Sequence, residues 1–284
     1  MKVISKVSDI KKEIKELKRS GKSVGLVPTM GYLHEGHISL VSKSVSENDI
    51  TVVSIFVNPT QFGPTEDLAA YPRDFERDSK MVESAGADII FFPSPEEMYP
   101  DGACTKVSLT GITEVLCGIT RPVHFAGVAT VVTKLFNIVS PDRAYFGEKD
   151  YQQLQVIKRM VKDLNMDVEV IGMPIIREAD GLAKSSRNIY LKGDERTSAL
   201  ALSKSFGIIS DMVKAGEKDV KKIQQAVTDF IHSHPHTKVD YVEIVDPSDL
   251  RYLTRIEGDF VTALAVYVGK ARLIDNKYFS GVIK

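Results

Sequence analysis

Residues 24–27 form a short β-branched and Leu-rich run closed by Pro28, and an apolar pattern resumes at Ile38, Leu40 and Val41 after a polar turn. This order is expected where a buried parallel strand feeds a helix. It constrains the fold strongly, because a parallel strand needs a crossover connection and cover on both faces.

The same rhythm recurs. A near-continuous apolar strand is expected at 49–57, a helix at about 74–85 stopped by Gly86, and a third strand at 89–92. A helix at 129–139, with Val131, Val132, Leu135, Phe136 and Val139 facing the core, is stopped by Pro141 and followed by a strand at 143–146. The next helix opens in 147–153 and a fifth strand spans 168–173, with a further short strand expected at 106–109. Such alternation predicts an α/β fold, a Rossmann-like parallel sheet with helices on its faces. The first helix is amphipathic through Ile10, Ile14 and Leu17, with Ser8 as its cap and Gly21 at its end. Beyond Asn188 two helices, 194–214 and 220–232, precede strands at 239–245 and 260–268 and a hairpin-like tail. That order indicates a smaller C-terminal α+β domain, giving an expected division into 1–176 and 177–284.

Composition narrows the function. A chain of 284 residues, 43% hydrophobic and 26% charged, can bury a sizeable core. A formal net charge of −1 supplies no basic field for nucleic acid. Cys104 and Cys117 are the only cysteines, too few for a disulfide framework or a cysteine metal cluster, which fits a reduced, cytoplasmic compartment. No apolar run approaches the ~20 residues of a membrane span. A G-x-G-x-x-G fingerprint is absent. His232, His234 and His236 surround Pro235 without a carboxylate or cysteine at ligand spacing, so no metal site is assigned there.

Candidate ligand residues collect at the strand-to-helix turns. His34 and His37 are one helical turn apart and share a face, at a point where unpaired backbone N–H groups attract anions. Gly36 between them lets a flat ligand approach the backbone. Their spacing is one residue too short for the zinc-protease pattern. Asn58 and Gln61 lie just past the second strand, at the start of a long aperiodic loop that carries Asp67, Tyr71 and Arg73 on it or at its close. Lys149 and Asp150 occupy a second strand-to-helix turn, where a lysine beside Gly147 is placed to reach a phosphate; Gln153 shares its face. Lys184-Ser185-Ser186-Arg187 packs two cations and two hydroxyls near Gly181, where the chain can move. His124 and Arg121 stand as loop ligands or surface residues, and the sequence does not separate the two.

Five separated stretches carry a resemblance over nearly the whole chain: 27–31 (Val-Pro-Thr-Met-Gly), 34–37 (His-Glu-Gly-His), 56–62 (Phe-Val-Asn-Pro-Thr-Gln-Phe), 146–153 (Phe-Gly-Glu-Lys-Asp-Tyr-Gln-Gln) and 184–188 (Lys-Ser-Ser-Arg-Asn). The chain resembles the pantothenate synthetase family within the HIGH-type nucleotidyl-transferring enzymes. That resemblance implies ATP-dependent joining of (R)-pantoate to β-alanine through a pantoyl-adenylate, with Mg2+, and release of pyrophosphate and AMP. It implies an ATP site of Met30, Gly31, Tyr32, Leu33, His34, Glu35, Gly36, His37, Gly147, Glu148, Lys149, Asp150, Ile176, Lys184, Ser185, Ser186 and Arg187. It places Gln61 and Gln153 on pantoate, Gln61 also on β-alanine, and gives His37, His34 and Lys149 catalytic roles, His37 as proton donor. It further implies a homodimer, a mobile lysine-serine loop closing over triphosphate, and a C-terminal domain that covers the site. Lys184 departs from the family, where that position looks apolar; it contacts phosphate or sits beside it. Two rivals share parts of the pattern: a nucleotidyltransferase that stops at its nucleotidyl product, and a non-catalytic nucleotide- or RNA-binding relative.

Overall fold

The computed structural model describes residues 1–64, 66 and 68–280, so Asp67 lies outside the described residues. Contacts divide the chain into two compact units, residues 1–148 with 153–174, and residues 149–152 with 175–284.

The first unit holds β1 (Lys2–Ile4), α1 (Val7–Arg19), β2 (Val24–Thr29), α2 (Glu35–Glu47), β3 (Ile50–Ile55), α3 (Phe75–Ser84), β4 (Ile89–Phe91), α4 (Pro95–Met98), α5 (Cys117–Thr120), α6 (His124–Val139) and β5 (Arg143–Gly147). Most of α7 (Tyr151–Asp163) and β6 (Glu169–Met173) complete it. Its six strands run in the order β1-β4-β3-β2-β5-β6, every neighbouring pair parallel. β2 therefore lies between β3 and β5, where the chain's crossovers change direction. In open parallel sheets ligands bind beyond the carboxyl ends of strands at such a point.

Alternation along the strands separates two cores. Leu26 and Val52 face α1, α6 and α7, packing with Ile10, Ile14, Leu135 and Ile157. Val27 and Val53 turn to the opposite face and pack with Leu40 and Val41 of α2 and Val82 of α3. A parallel sheet buried on both faces has this continuous apolar character. Helix α2 sits tight on β2, for a Cβ on Gly25 would lie 2.2 Å from Ser44 Oγ and 2.6 Å from Asn48 Nδ2. Its carboxyl end is tied to β5: Asn48 Nδ2 donates to the Tyr145 hydroxyl at 2.8 Å, which donates to Glu47 Oε2 at 2.9 Å. Burial, with the Glu47 carboxylate adding to it, pushes the Tyr145 phenol up to about 12.

Several local expectations are corrected. β1 pairs with β4 at the sheet edge, three residues being too few to show periodicity. Ser8 lies inside α1 and bonds Asp9, while the Val7 N–H that opens the helix is taken by Glu97 Oε1 at 2.8 Å. α6 begins at His124 rather than Ala129. No strand forms at 106–109, because the Val107 N–H finds Thr130 Oγ1 of α6 at 2.9 Å and has no strand beside it.

In the second unit α8 (Asp194–Lys214) and α9 (Val220–His232) precede β7 (Thr237–Val245), β8 (Phe260–Val268) and β9 (Ala271–Phe279), an antiparallel sheet in the order β7-β8-β9. Leu202, Phe206, Ile223, Val227, Leu264 and Val266 are among its buried core.

One contact in the first unit joins core to site. A Cβ on Gly127 of α6 would lie 2.5 Å from the Thr60 carbonyl and 2.6 Å from Gln61 Cα, so this helix rests on the backbone of the turn after β3. Gly127→Ala is expected to force the two apart and to destabilise the protein by about 1–3 kcal/mol. Urea unfolding with an unchanged slope checks it.

Candidate active site

The turn from β2 into α2 is built around its two histidines. His34 is the extended N-cap, φ −141°. Its Nδ1 accepts the Gly36 N–H at 3.1 Å, and His37 Nδ1 accepts the His34 N–H at 3.3 Å. The two imidazoles thus cap the helix reciprocally, with ring centroids 4.1 Å apart. An Nδ1 that accepts carries no proton, so each neutral ring bears its hydrogen on Nε2. Gly36 is required by this cap, for a Cβ on it would lie 2.8 Å from His34 Cε1 and 2.9 Å from Nδ1. Only glycine admits the imidazole cap.

The residues leading into this cap take left-handed backbone, φ 84° at Gly31 and 50° at Tyr32. The Tyr32 and Leu33 N–H groups donate to Asp78 of α3 at 2.6 and 2.8 Å, and Arg77 Nη2 donates to the Leu33 carbonyl at 2.7 Å. Asp78 is buried, as is the Leu33 side chain, while the Arg77 guanidinium lies 5.0 Å over the Tyr32 ring. Sequence reading missed Asp78 and Arg77, since charged residues in the first turns of an exposed helix look like a solvated face.

The turn after β3 is a buried polar cluster. Asn58 Nδ2 donates to Gln61 Oε1 and to the Gly127 carbonyl, each at 3.1 Å. Asn58 Oδ1 accepts from the Tyr99 hydroxyl at 2.8 Å and the Thr60 hydroxyl at 2.9 Å. Gln61 Nε2 reaches Met30 Sδ at 3.0 Å, which brings the β2 and β3 turns together. With its carbonyl held by Asn58 and one amide hydrogen directed at Met30 Sδ, the Gln61 NH2 retains a second hydrogen as a donor. His124 is buried, and its Nδ1 lies 3.0 Å from the Gln61 main-chain oxygen. Arg121 holds the Glu66 carboxylate through two of its nitrogens. Burial works to raise the Glu66 carboxyl, but Arg121 and the Gly63 backbone bring it below the usual range.

After β5 the chain passes from Gly147 and Glu148 of the first unit into Lys149 and Asp150 of the second. Glu148 lies against β6, its Oε1 3.2 Å from where a Cβ on Gly172 would stand. Gln153, in the first unit, is half-buried in the first turn of α7. In the second unit the Lys149 carbonyl accepts from Asn276 Nδ2 at 2.9 Å, and Lys149 Nζ lies 3.9 Å from Asp150 Oδ2.

Lys184 to Arg187 follow a hairpin whose tip is Gly181, φ 96°. The Lys184 N–H donates to the Ile176 carbonyl at 2.9 Å, and Ser185 Oγ caps a 3-10 turn by accepting the Arg187 N–H at 3.3 Å. Arg177 anchors this hairpin to Asp275 of β9 through bonds of 2.7 and 2.9 Å. Asn188 and Arg196 both reach Glu178, at 2.7 and 2.8 Å. At the end of α9 His234 Nδ1 meets the Phe230 carbonyl at 2.9 Å. Among the described residues no group of three or more His, Cys, Asp or Glu is placed to hold a metal ion.

A family profile described as pantoate-beta-alanine ligase matches residues 2–278. A pantothenate synthetase of Caldicellulosiruptor saccharolyticus is 57% identical over 276 residues, 97% of this chain and 98% of the relative. One of Acetivibrio thermocellus is 58% identical with the same coverage. The crystal structure of pantothenate synthetase from Thermus thermophilus superposes with a TM-score of 0.92 at 45% identity, covering 98% of this chain and 99% of that one. A pantoate-beta-alanine ligase from Francisella tularensis, solved with beta-gamma ATP and β-alanine, gives a TM-score of 0.82 at 36% identity over 100% of this chain and 99% of its own. The chain belongs to the pantoate-beta-alanine ligase family.

Proposed function

We propose that the chain joins (R)-pantoate to β-alanine in two steps, using ATP and passing through a pantoyl-adenylate. The observation that carries this reading is the reciprocal histidine cap, which uses both Nδ1 atoms as acceptors and so leaves the proton of each imidazole on Nε2 at the start of α2, in a chain that belongs to this family.

In the first step a pantoate carboxylate oxygen attacks the α-phosphorus and the bond to the β-phosphate oxygen breaks, so pyrophosphate leaves with the electron pair. A carboxylate of pKa ~4 is already ionised at neutral pH and needs no general base. The difficulty is the approach of two anions, which preorganised donors and cations relieve. His34, His37, Lys149 and Arg187 take that role, with His37 donating toward the departing phosphate. Met30 to His37, Gly147 to Asp150, Ile176 and Lys184 to Arg187 make up the proposed ATP contacts. The sequence division at 176 assigns nucleotide and pantoate binding to the first domain and leaves Arg187 and its neighbours on the second. In the second step the β-alanine ammonium first loses a proton, the free amine attacks the acyl carbon, the bond to the AMP oxygen breaks with its electron pair leaving on AMP, and a second proton leaves the nitrogen as the amide forms.

Gln61 and Gln153 are assigned to pantoate, and Gln61 also to β-alanine. The Asn58 bond leaves the Gln61 NH2 as the group offered, suited to a carboxylate or hydroxyl oxygen. Magnesium belongs to this reading as a counter-ion to the triphosphate, where it would offset phosphate charge. A homodimer is part of the reading, and so is a cytoplasmic setting, which two free cysteines suit. No described helix is long and apolar enough to cross a membrane. Sedimentation at micromolar concentration tests the dimer, and a monomer there removes it.

Pyrophosphate release should require ATP and pantoate, and AMP release should require β-alanine as well. Omitting each substrate in turn while measuring both products is the experiment; AMP formed equally well without β-alanine rules out ligation. His37→Ala should lower adenylate formation roughly 10²-fold or more while the protein remains folded. Gln61→Leu and Gln153→Leu should each raise the pantoate KM or abolish adenylation, with ATP binding by calorimetry within about three-fold of wild type.

A further inference from the structure

His37 is held in a way that reaches beyond its own helix. The peptide joining Leu33 to His34 is gripped at both ends: Arg77 Nη2 donates to its carbonyl at 2.7 Å, and its N–H donates to His37 Nδ1 at 3.3 Å. The two preceding peptides are fixed as well, because the Leu33 N–H donates to Asp78 Oδ1 at 2.8 Å and the Tyr32 N–H to Oδ2 at 2.6 Å. We infer that Arg77 and Asp78 are positioning residues for His37, setting the plane of the Leu33–His34 peptide on which its imidazole rests. The inference rests on the reading that His37 serves adenylation.

Each residue contributes differently. A guanidinium on the carbonyl polarises the amide, making its N–H a stronger donor to the imidazole, as hydrogen bonds in series do. Asp78 fixes the left-handed entry at Gly31 and Tyr32, and its fit is close, since a Cβ on Gly31 would lie 3.2 Å from Asp78 Oδ2. Asparagine in its place would turn an NH2 toward one of two N–H groups, leaving one unbonded. Arg77 Nη1 lies 3.5 Å from Asp78 Oδ1, with the Arg77 side chain 43% exposed, so its substitution leaves the buried packing in place.

The test compares Arg77→Met, Arg77→Lys and Asp78→Asn with wild type, each with and without His37→Ala. Pantoate-dependent pyrophosphate release should fall about 10-fold in Arg77→Met and 10- to 100-fold in Asp78→Asn, as expected for sub-ångström misplacement of a reacting group. The effect should fall on kcat, with the ATP KM within about three-fold. Arg77→Lys should recover most of the loss, because one donor to the carbonyl returns. In the His37→Ala background Arg77→Met should cost nothing further, the signature of residues acting as one unit. Nitrogen NMR of labelled histidine should show the His37 Nδ1 signal moving in the single variants. Asp74→Ala, which removes the α3 cap formed by Asp74 Oδ1 on the Arg77 N–H, is the stability control and should lower Tm without moving that signal.

An unchanged His37 signal together with an unchanged kcat in Arg77→Met overturns the inference, as does an additive loss in the His37→Ala background. Should Asp78→Asn not fold, the two Arg77 variants decide. A wild-type protein that releases no pyrophosphate removes the proposed reaction, and the imidazole signals then decide the positioning role alone.

Discussion

A left-handed turn at Gly31 and Tyr32 joins the buried middle strand to the helix that carries the histidines, and much of the first unit's geometry depends on keeping it there. Left-handed backbone at a non-glycine residue costs about 1–2 kcal/mol. A hydrogen bond to a charged acceptor contributes about 1.5–3 kcal/mol, and Asp78 supplies two, to the Tyr32 and Leu33 N–H groups. These magnitudes are large enough to offset the strain of the turn while the carboxylate is in place. The backbone N–H groups that sequence reading offered to a phosphate are thus partly engaged by an internal anion, and the cap beyond them supplies imidazole N–H groups.

That internal anion is expensive. Burial pushes the Asp78 carboxyl above its ordinary value, against the Leu33 and Tyr32 N–H groups and the Arg77 guanidinium, which lower it, while Asp74 adds to the rise. For an acid whose folded pKa is raised, the ionised form is penalised by folding. Stability from this group is therefore greatest at low pH and is lost as pH rises from the unfolded value through the folded one. Ionising Asp78 therefore lowers stability relative to its protonated form, so its charge is better explained by the backbone it orders than by the strength of the fold.

What the sequence made legible follows from length and periodicity. Strands buried on both faces, such as β2 and β3, announce themselves as continuous apolar runs, and helices as long as α8 and α9 show their period. Edge strand β1 had three residues and no pattern to show. The start of α6 was hidden because 124–128 contains a histidine and a glycine, which read as loop, yet Gly127 is needed for backbone contact with the Asn58–Gln61 turn. The histidine pair and Gln61 were legible as residue types at strand ends. Their supports were not: Arg77 and Asp78 lie 44 to 46 residues from the turn they hold, and an isolated Arg-Asp in a charged helix carries no periodic or turn signal. Asn58 was noticed for its place after β3, but its bond to the Gln61 carbonyl, which decides whether that amide donates or accepts, is a tertiary fact.

The three histidines of the first unit show how the backbone assigns chemistry to identical side chains. At His34 and His37 a backbone N–H points at Nδ1, so that nitrogen must accept and the proton resides on Nε2. At His124 a backbone carbonyl lies at Nδ1; a carbonyl can only accept, so here Nδ1 carries a proton. The first two rings keep their proton on Nε2, as the proposed contact with a phosphate oxygen requires, and the third carries one on Nδ1. Residue type alone gives neither assignment. It comes from where the helices begin: α2 opens with a reciprocal imidazole cap, whereas α6 opens with its first residue turned back onto the carbonyl of Gln61.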